Sequence, residues 1–106
     1  MDKTTRFDAA EFLTTPEAQA EFITAAFETG DAAHVRDAVG VVARARGMGE
    51  IAKAAGLNRE SLYRALGTTG NPEFATMLRV FDALGISLSA RPKPRTPVKK
   101  RARKAA

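Results

Sequence analysis

The stretch from Met48 to Leu66, MGEIAKAAGLNRESLYRAL, decides the fold predicted for this chain. Apolar and small residues recur through it at the spacing of two short helices, and Gly56 stands between them where a tight turn is needed. Ala52 is small at the point where the two helices would cross closely. The pattern predicts a helix-turn-helix, which is pinned to the rest of the domain by Ile51, Leu57 and Leu62.

The second helix of this pair, predicted from Asn58 to Leu66, carries a polar outward face. Arginine pairs bidentately with guanine, asparagine pairs with adenine, and a carboxylate accepts from cytosine. We therefore predict that this helix contacts base edges in the major groove through Asn58, Arg59, Glu60, Tyr63 and Arg64. The residues expected to contact phosphates are Lys53, Thr68, Thr69 and Asn71, together with backbone amides at the start of the next helix.

Two of these side chains have a second interpretation. Glu60 either accepts a hydrogen bond from cytosine, or orients Arg64 four residues along the helix and rejects wrong sequences. Tyr63 either contacts the nucleic acid, by stacking or at a phosphate, or packs on the loop at Gly67. A helix pair whose charged face is merely solvated would show the same pattern.

Capping residues predict helices on both sides of this pair. Thr15-Pro16-Glu17 opens a helix that ends at Gly30, and Asp31 caps a second helix that runs to about Arg46. A short helix then spans Gly49 or Glu50 to Ala55. Asn71-Pro72-Glu73 repeats the first opening and predicts a last helix that ends at Gly85. The apolar residues expected on its buried side are Phe74, Met77, Leu78, Phe81 and Leu84.

The segment Ile86–Ala90 alternates apolar and polar residues, as in a short half-buried strand. Such a strand would either pair with its symmetry mate across a two-fold axis or fold back on the first helix. We therefore expect an all-α domain, with a short C-terminal strand as an addition. Its parts are an N-terminal arm at 1–14, the DNA-binding domain at 15–90 and a tail at 91–106.

Composition excludes several classes of protein. The 106 residues suit one domain, and the absence of Cys excludes a disulfide framework, a zinc finger and a thiol nucleophile. His34 is the single histidine, so a site with several histidine ligands cannot form within one chain. No serine is paired with a base and no acid pair stands out, so we predict neither an enzyme nor a cofactor. No run of 18 apolar residues occurs, so we expect no membrane span. The N-terminal residues also lack the apolar stretch of a secretory signal, which predicts a cytoplasmic protein, and the predicted DNA contacts would associate it with the nucleoid.

Charge is divided unequally along the chain. Residues 1–90 hold 9 Lys and Arg against all 12 Asp and Glu, a net charge of −3, whereas residues 91–106 hold 8 Lys and Arg and no acid, a net charge of +8. The tail is also rich in proline, so we expect it to be disordered when free. It serves either non-specific contact with nucleic acid or solubility alone. Its basic residues are Arg91, Lys93, Arg95, Lys99, Lys100, Arg101, Arg103 and Lys104.

Residues 5–90 also resemble a known family. The segments RFDAAEFL at 6–13, TPEAQAEF at 15–22, ARARGMGEIAKAAGLNRESLYRALGTTGNPEF at 43–74 and RVFDALGISL at 79–88 are similar, in order, to the addiction module antidote family of the lambda-repressor-like (Xre) helix-turn-helix superfamily. The resemblance implies a five-helix DNA-binding domain, a homodimer and a toxin partner of the RelE/HigB type. It further implies repression of the protein's own operon.

One departure from the superfamily and two alternatives belong with that resemblance. The superfamily often opens the first helix of the pair with Ser/Thr-Gln, whose Gln contacts a phosphate, and Gly47 and Met48 stand in those positions here. The chain could instead be a stand-alone or phage-type transcription regulator without a toxin. It could also be a toxin-binding protein that has lost operator binding and acts through Arg6–Phe27 and an acidic face.

Overall fold

The computed structural model describes residues 12–94, and within them the fold consists of five α-helices without a strand. This confirms the predicted all-α class. The predictions for the arm before Phe12, and for Arg95, Lys99, Lys100, Arg101, Arg103 and Lys104, lie outside the described residues. The helices are α1 (Pro16–Glu28), α2 (Ala32–Arg46), α3 (Met48–Ala55), α4 (Arg59–Ala65) and α5 (Phe74–Leu84).

The first two helices begin at the residues that the capping pattern predicts. The Thr15 hydroxyl accepts a hydrogen bond from the Ala18 amide at 3.1 Å, and the Asp31 carboxylate accepts one from the Ala33 amide at 2.9 Å. Each bond satisfies an amide that has no partner inside the helix, and that stabilises a helix start by about 1 kcal/mol. Local sequence is therefore sufficient to place the starts of α1 and α2.

The core is assembled around α2. Val39 and Val42 of this helix are fully buried, α1 packs against it through Ile23, and α3 packs between α2 and α5. Val80 of α5 and Leu62 of α4 are also fully buried. Leu62 is the residue that fastens α4 to the domain, because it is the fully buried large side chain of that helix.

A polar cluster around the buried side chain of Gln19 joins parts of the chain that are distant in sequence. Gln19 is 4% exposed, donates to the Leu13 carbonyl at 3.0 Å and accepts from the Arg46 guanidinium at 3.0 Å. Arg46 also donates to the Leu84 carbonyl at 2.9 Å, which satisfies an oxygen at the C-terminal end of α5. The cluster thus ties α1, α2 and α5 together.

The predicted start of α5 is wrong by two residues. Asn71 does not cap the helix: α5 begins at Phe74, and Glu73 precedes it with extended backbone and no side-chain capping bond. A loop takes the place of the predicted first turn, and the Arg36 guanidinium donates to the Gly70 carbonyl of this loop at 3.0 Å and holds it against α2. At α3 the helix begins at Met48, slightly earlier than predicted.

The buried side of α5 also differs from the prediction. Phe74 and Leu78 are 70% and 43% exposed, whereas Val80 is fully buried. The buried residues Met77, Val80, Phe81 and Leu84 follow the i, i+3, i+4, i+7 spacing of one helix face. Phe74 is on the face of this stripe but lies one turn before it, at the first position of the helix, and Leu78 lies beside the stripe, so both remain exposed.

The C-terminal strand predicted at Ile86–Ala90 does not form. The segment has no partner strand among residues 12–94, and five residues alone cannot make a stable ladder. Ile86 packs on the core, and the segment continues beside α1, with which it lines a cleft of about 450 Å³. This is the second of the two placements considered above, without a strand. No helix of residues 12–94 is both long and apolar enough to cross a membrane.

Candidate nucleic-acid interface

Gly56 makes the turn between α3 and α4. Its backbone is left-handed, with φ of 77°, a conformation that glycine adopts without the steric cost of a Cβ. The Leu57 amide donates to the Ala52 carbonyl at 2.8 Å and closes the end of α3. Ala52 is itself 2% exposed, in agreement with its predicted position at the helix crossing.

Helix α4 exposes the side chains that were predicted to contact bases. Arg59, Glu60, Tyr63 and Arg64 all lie on its solvent side, while Leu62 faces inward. The Arg59 guanidinium carbon lies 5.4 Å from the centre of the Tyr63 ring, which is 43% exposed. A cation above a ring face is attracted to it, and this contact limits the conformations open to Arg59.

Asn58 occupies a different place from the other four residues. It is the N-cap of α4, and its side-chain oxygen accepts from the Ser61 amide at 2.7 Å. Pairing with adenine requires that oxygen as well as the amide nitrogen. The cap orients that oxygen toward the Ser61 amide, so while the cap is in place the NH2 group is the part of Asn58 that is free to meet a base.

Glu60 and Arg64 do not pair with each other. Within residues 12–94 no ion pair joins them, although their spacing would allow one. The interpretation in which Glu60 orients Arg64 therefore has no contact in this structure that supports it. Both side chains are free to meet groups outside the chain.

The loop from Gly67 to Glu73 brings part of the predicted phosphate-contacting set next to α4. Thr68, Thr69 and Asn71 are exposed on this loop, and Lys53 is exposed in the last turn of α3. The Gly70 amide, however, donates to the Gly67 carbonyl at 2.9 Å. Because α5 begins only at Phe74, the amides of Gly70 and Asn71 do not form a helix N-terminus.

Sequence reasoning missed the two residues that hold this loop. A Cβ at Gly70 would overlap the carbonyl oxygen of Ala65, so this position has no room for a side chain. Arg36, whose side chain is 13% exposed, binds both the Gly70 carbonyl and the Asp37 carboxylate, the latter at 2.8 Å. The glycine is a visible signal of close approach, but nothing near Arg36 in sequence points to a loop 34 residues away.

Comparison with known proteins places the chain in a family. The sequence model of the family described as "Probable addiction module antidote protein" matches residues 3–92. The chain belongs to this antidote family. A protein of Haemophilus influenzae, described as an uncharacterized protein, is 42% identical to this chain over 80 residues, which are 76% of this chain and 82% of the relative. No solved structure was found to match the present chain.

Two further features of the chain concern residues at the edges of the site. Met48 opens α3 and is 4% exposed, so its side chain belongs to the core and cannot take the place of a phosphate-contacting Gln. Arg91 and Lys93 are exposed, and they line the cleft beside α1 with the C-terminal segment. The described part of the tail therefore lies along α1. The candidate nucleic-acid interface consists of α3, α4 and the loop that follows α4.

Proposed function

We propose that this antidote-family protein is the antitoxin of a toxin–antitoxin module and that it binds DNA sequence-specifically through α4. The observation that carries the DNA-binding part is the exposed polar face of α4, on a helix fastened by a fully buried Leu62. Arginine and glutamate side chains on such a face can pair with base edges in the major groove. The antitoxin part is supported by the family match over residues 3–92.

In the proposed complex, α4 enters the major groove with its first turn toward the bases. Arg59 and Arg64 pair with guanines, and Glu60 accepts from cytosine or excludes other bases. Lys53 and the loop residues Thr68 and Thr69 contact phosphates on either side, which sets the register of the helix. The contact between Arg59 and Tyr63 reduces the number of conformations that Arg59 loses on binding.

Regulation follows from two copies acting together. A homodimer with two-fold symmetry would place two α4 helices in successive major grooves, about 34–36 Å apart or a multiple of that distance. Binding of such a dimer to an operator upstream of its own gene would repress the module. The partner that the resemblance implies is a toxin of the RelE/HigB type.

The proposal is tested by fluorescence anisotropy of the full chain on duplex DNA from directly upstream of its gene, with a scrambled duplex as the control. We expect a preference of about 10³-fold or more at about 0.15 M salt. A variant with glutamine at all eight basic positions of 91–106 should bind both duplexes more weakly and keep the preference. Equal affinity of the full chain for both duplexes would contradict operator binding.

Tyr63 is expected to matter through its ring and not through its hydroxyl. Tyr63→Leu removes the surface on which Arg59 rests and should lower the preference for the upstream duplex about two- to five-fold. Tyr63→Phe keeps the ring face and should retain the preference in the same anisotropy assay. If Tyr63→Phe loses as much as Tyr63→Leu, the hydroxyl is the important group and the stacking role is wrong.

A second candidate is a toxin-binding protein without operator binding, and an exposed aromatic surface away from α4 favours it. Phe74 is 70% exposed at the start of α5. The double variant Arg59→Ala/Arg64→Ala distinguishes the roles in a growth assay with the product of the adjacent reading frame. Rescue by this variant would show that neutralisation does not need the proposed base contacts. The absence of rescue by the unaltered chain would favour a stand-alone regulator.

A further inference from the structure

The turn that follows α4 presents Thr68 and Thr69 to solvent. The Gly70 amide donates to the Gly67 carbonyl at 2.9 Å and closes the turn, so the two threonines lie at its centre, and both are exposed. The Gly67 amide donates in turn to the Arg64 carbonyl at 3.3 Å. The position of the two threonines relative to α4 is therefore set by backbone hydrogen bonds.

Close backbone contact limits the turn on the side of α4. A Cβ at Gly70 would overlap the Ala65 carbonyl oxygen, so the turn fits against the last residues of the helix without space between them. The end of α4 is in turn close to α2, because a Cβ at the buried Gly40 would lie 3.5 Å from the Leu66 carbonyl oxygen. The turn thus cannot move toward α4 without a clash.

Arg36 connects the turn to α2. Its Nη1 donates to the Gly70 carbonyl at 3.0 Å, while its Nε and Nη2 donate to the Asp37 carboxylate at 3.0 and 2.8 Å. The Arg36 side chain is 13% exposed, and the carboxylate fixes its orientation. Hydrogen bonds with a charged donor are about twice as strong as neutral ones, so this bond is well suited to hold the turn in place.

We propose that Arg36 is a positioning residue for DNA binding, which fixes the turn so that the Thr68 and Thr69 hydroxyls meet phosphates of the operator. This inference rests on the proposed function, in which these threonines contact phosphates. A turn that is fixed before binding loses less conformational entropy when DNA arrives. Arg36 thus raises affinity and leaves sequence preference to α4, because phosphate contacts carry no sequence information.

The first test is Arg36→Met, which removes every donor of the side chain and keeps an aliphatic chain in its place. Anisotropy of the full chain should show about tenfold weaker binding to both the upstream and the scrambled duplex, with the preference unchanged. Arg79→Met is the matched control, since it makes the same charge change at an exposed residue of α5 that lines a separate hollow with Gly56. It should weaken binding less than about threefold.

A double-mutant cycle separates positioning from a purely structural role. Thr68→Val/Thr69→Val removes the two hydroxyls at nearly constant shape and should weaken binding about tenfold in the unaltered chain. In the Arg36→Met chain the same change should cost less than about threefold, because the turn is no longer held where the hydroxyls meet phosphates. If Arg36→Met only unfolds part of the population, the two losses multiply to about 100-fold.

Gly70→Ala disturbs the same turn without any change in charge. The added Cβ overlaps the Ala65 carbonyl oxygen, so the turn has to shift. This variant should also weaken binding to both duplexes and remove most of the effect of the threonine substitutions. Urea denaturation followed by circular dichroism identifies a temperature at which every variant is folded, and the affinities are compared at that temperature.

The outcomes separate this inference from the proposed function. Unchanged affinity of Arg36→Met, losses that multiply in the cycle, or threonine substitutions without effect in the unaltered chain would each overturn the role of Arg36, while base contacts by α4 stand. If Arg36→Met reduces the slope of log affinity against log salt by about 0.9 more than Arg79→Met does, the guanidinium contacts a phosphate directly and the positioning role is wrong. If the unaltered chain shows no preference for the upstream duplex, operator binding fails and the inference fails with it.

Discussion

Arg59→Ala is expected to lower the preference for the operator over a scrambled duplex by about five- to 150-fold. The physical reason is the loss of a bidentate contact with one base pair, worth about 1–3 kcal/mol of discrimination. The residue is exposed in the first turn of α4 and does not contribute to the core, so the fold should persist. The measurement is anisotropy with both duplexes at a fixed salt concentration.

Lys53→Ala is the control for this prediction. Lys53 is exposed at the end of α3, and a phosphate contact there would carry no sequence information. Its loss should weaken binding to both duplexes alike and reduce the slope of log affinity against log salt by about 0.9. If Arg59→Ala weakens binding to both duplexes alike, as expected for Lys53→Ala, and leaves the preference for the operator unchanged, α4 does not lie in the major groove of DNA as proposed.

Leu62→Ala is expected to produce the largest loss of stability. Leu62 is fully buried and fastens α4 to the core, so truncation removes favourable burial and leaves a cavity, at a cost of about 2–5 kcal/mol. A domain of this size has a free energy of unfolding of about 5–15 kcal/mol in total. Urea denaturation followed by circular dichroism should show a lower midpoint with an unchanged slope.

The comparison for Leu62 is a leucine on the surface. Leu78 is 43% exposed, and Leu78→Ala should change the free energy of unfolding by about 0.5 kcal/mol or less. Equal midpoints for the two variants would show that α4 is held by something other than Leu62. The Leu62→Ala variant should unfold, and therefore lose its affinity for the operator, at temperatures where the unaltered chain still binds.

Much of the fold could be predicted because the signals that decide it are local. Thr15, Asp31 and Asn58 each accept the hydrogen bond that a helix N-cap requires, within three residues of their own position. Gly56 adopts the left-handed backbone that its place in the turn suggested. The helix pair could be located for the same reason, since turn and caps lie inside one stretch of 19 residues.

The errors share a different cause, which is contact between residues distant in sequence. The loop that precedes α5 is bound by Arg36, 34 residues away in sequence from Gly70, and the hydrogen bond between Gln19 and Arg46 spans 27 residues. Neither contact produces a periodic pattern in the amino-acid sequence from which it could be predicted. The alternation in Ile86–Ala90 was genuine, but a strand also requires a neighbour, and none is present among residues 12–94.

Of the predicted site, the exposed face of α4 is described by the structure, and Asn58 proves to be committed to its cap. The assignment of bases and phosphates to individual side chains stays a prediction, because nothing within the chain specifies a sequence of DNA. The exposure of Phe74 escaped sequence reasoning because the residue has the same spacing as Met77 and Phe81. Phe74 is the first residue of α5, one turn before the buried stripe, and it is 70% exposed there.

The shortness of α4 limits how much information one copy can extract from DNA. Seven residues extend over about 10 Å, which is the rise of about three base pairs. A three-letter word recurs by chance about once in 64 positions, and a pair of such words about once in 4,000, while a genome offers about 10⁶ or more competing sites. Under the proposed function, the remaining selectivity has to come from neighbouring sites, from the bendability of the operator, or from a bound partner that adds contacts of its own.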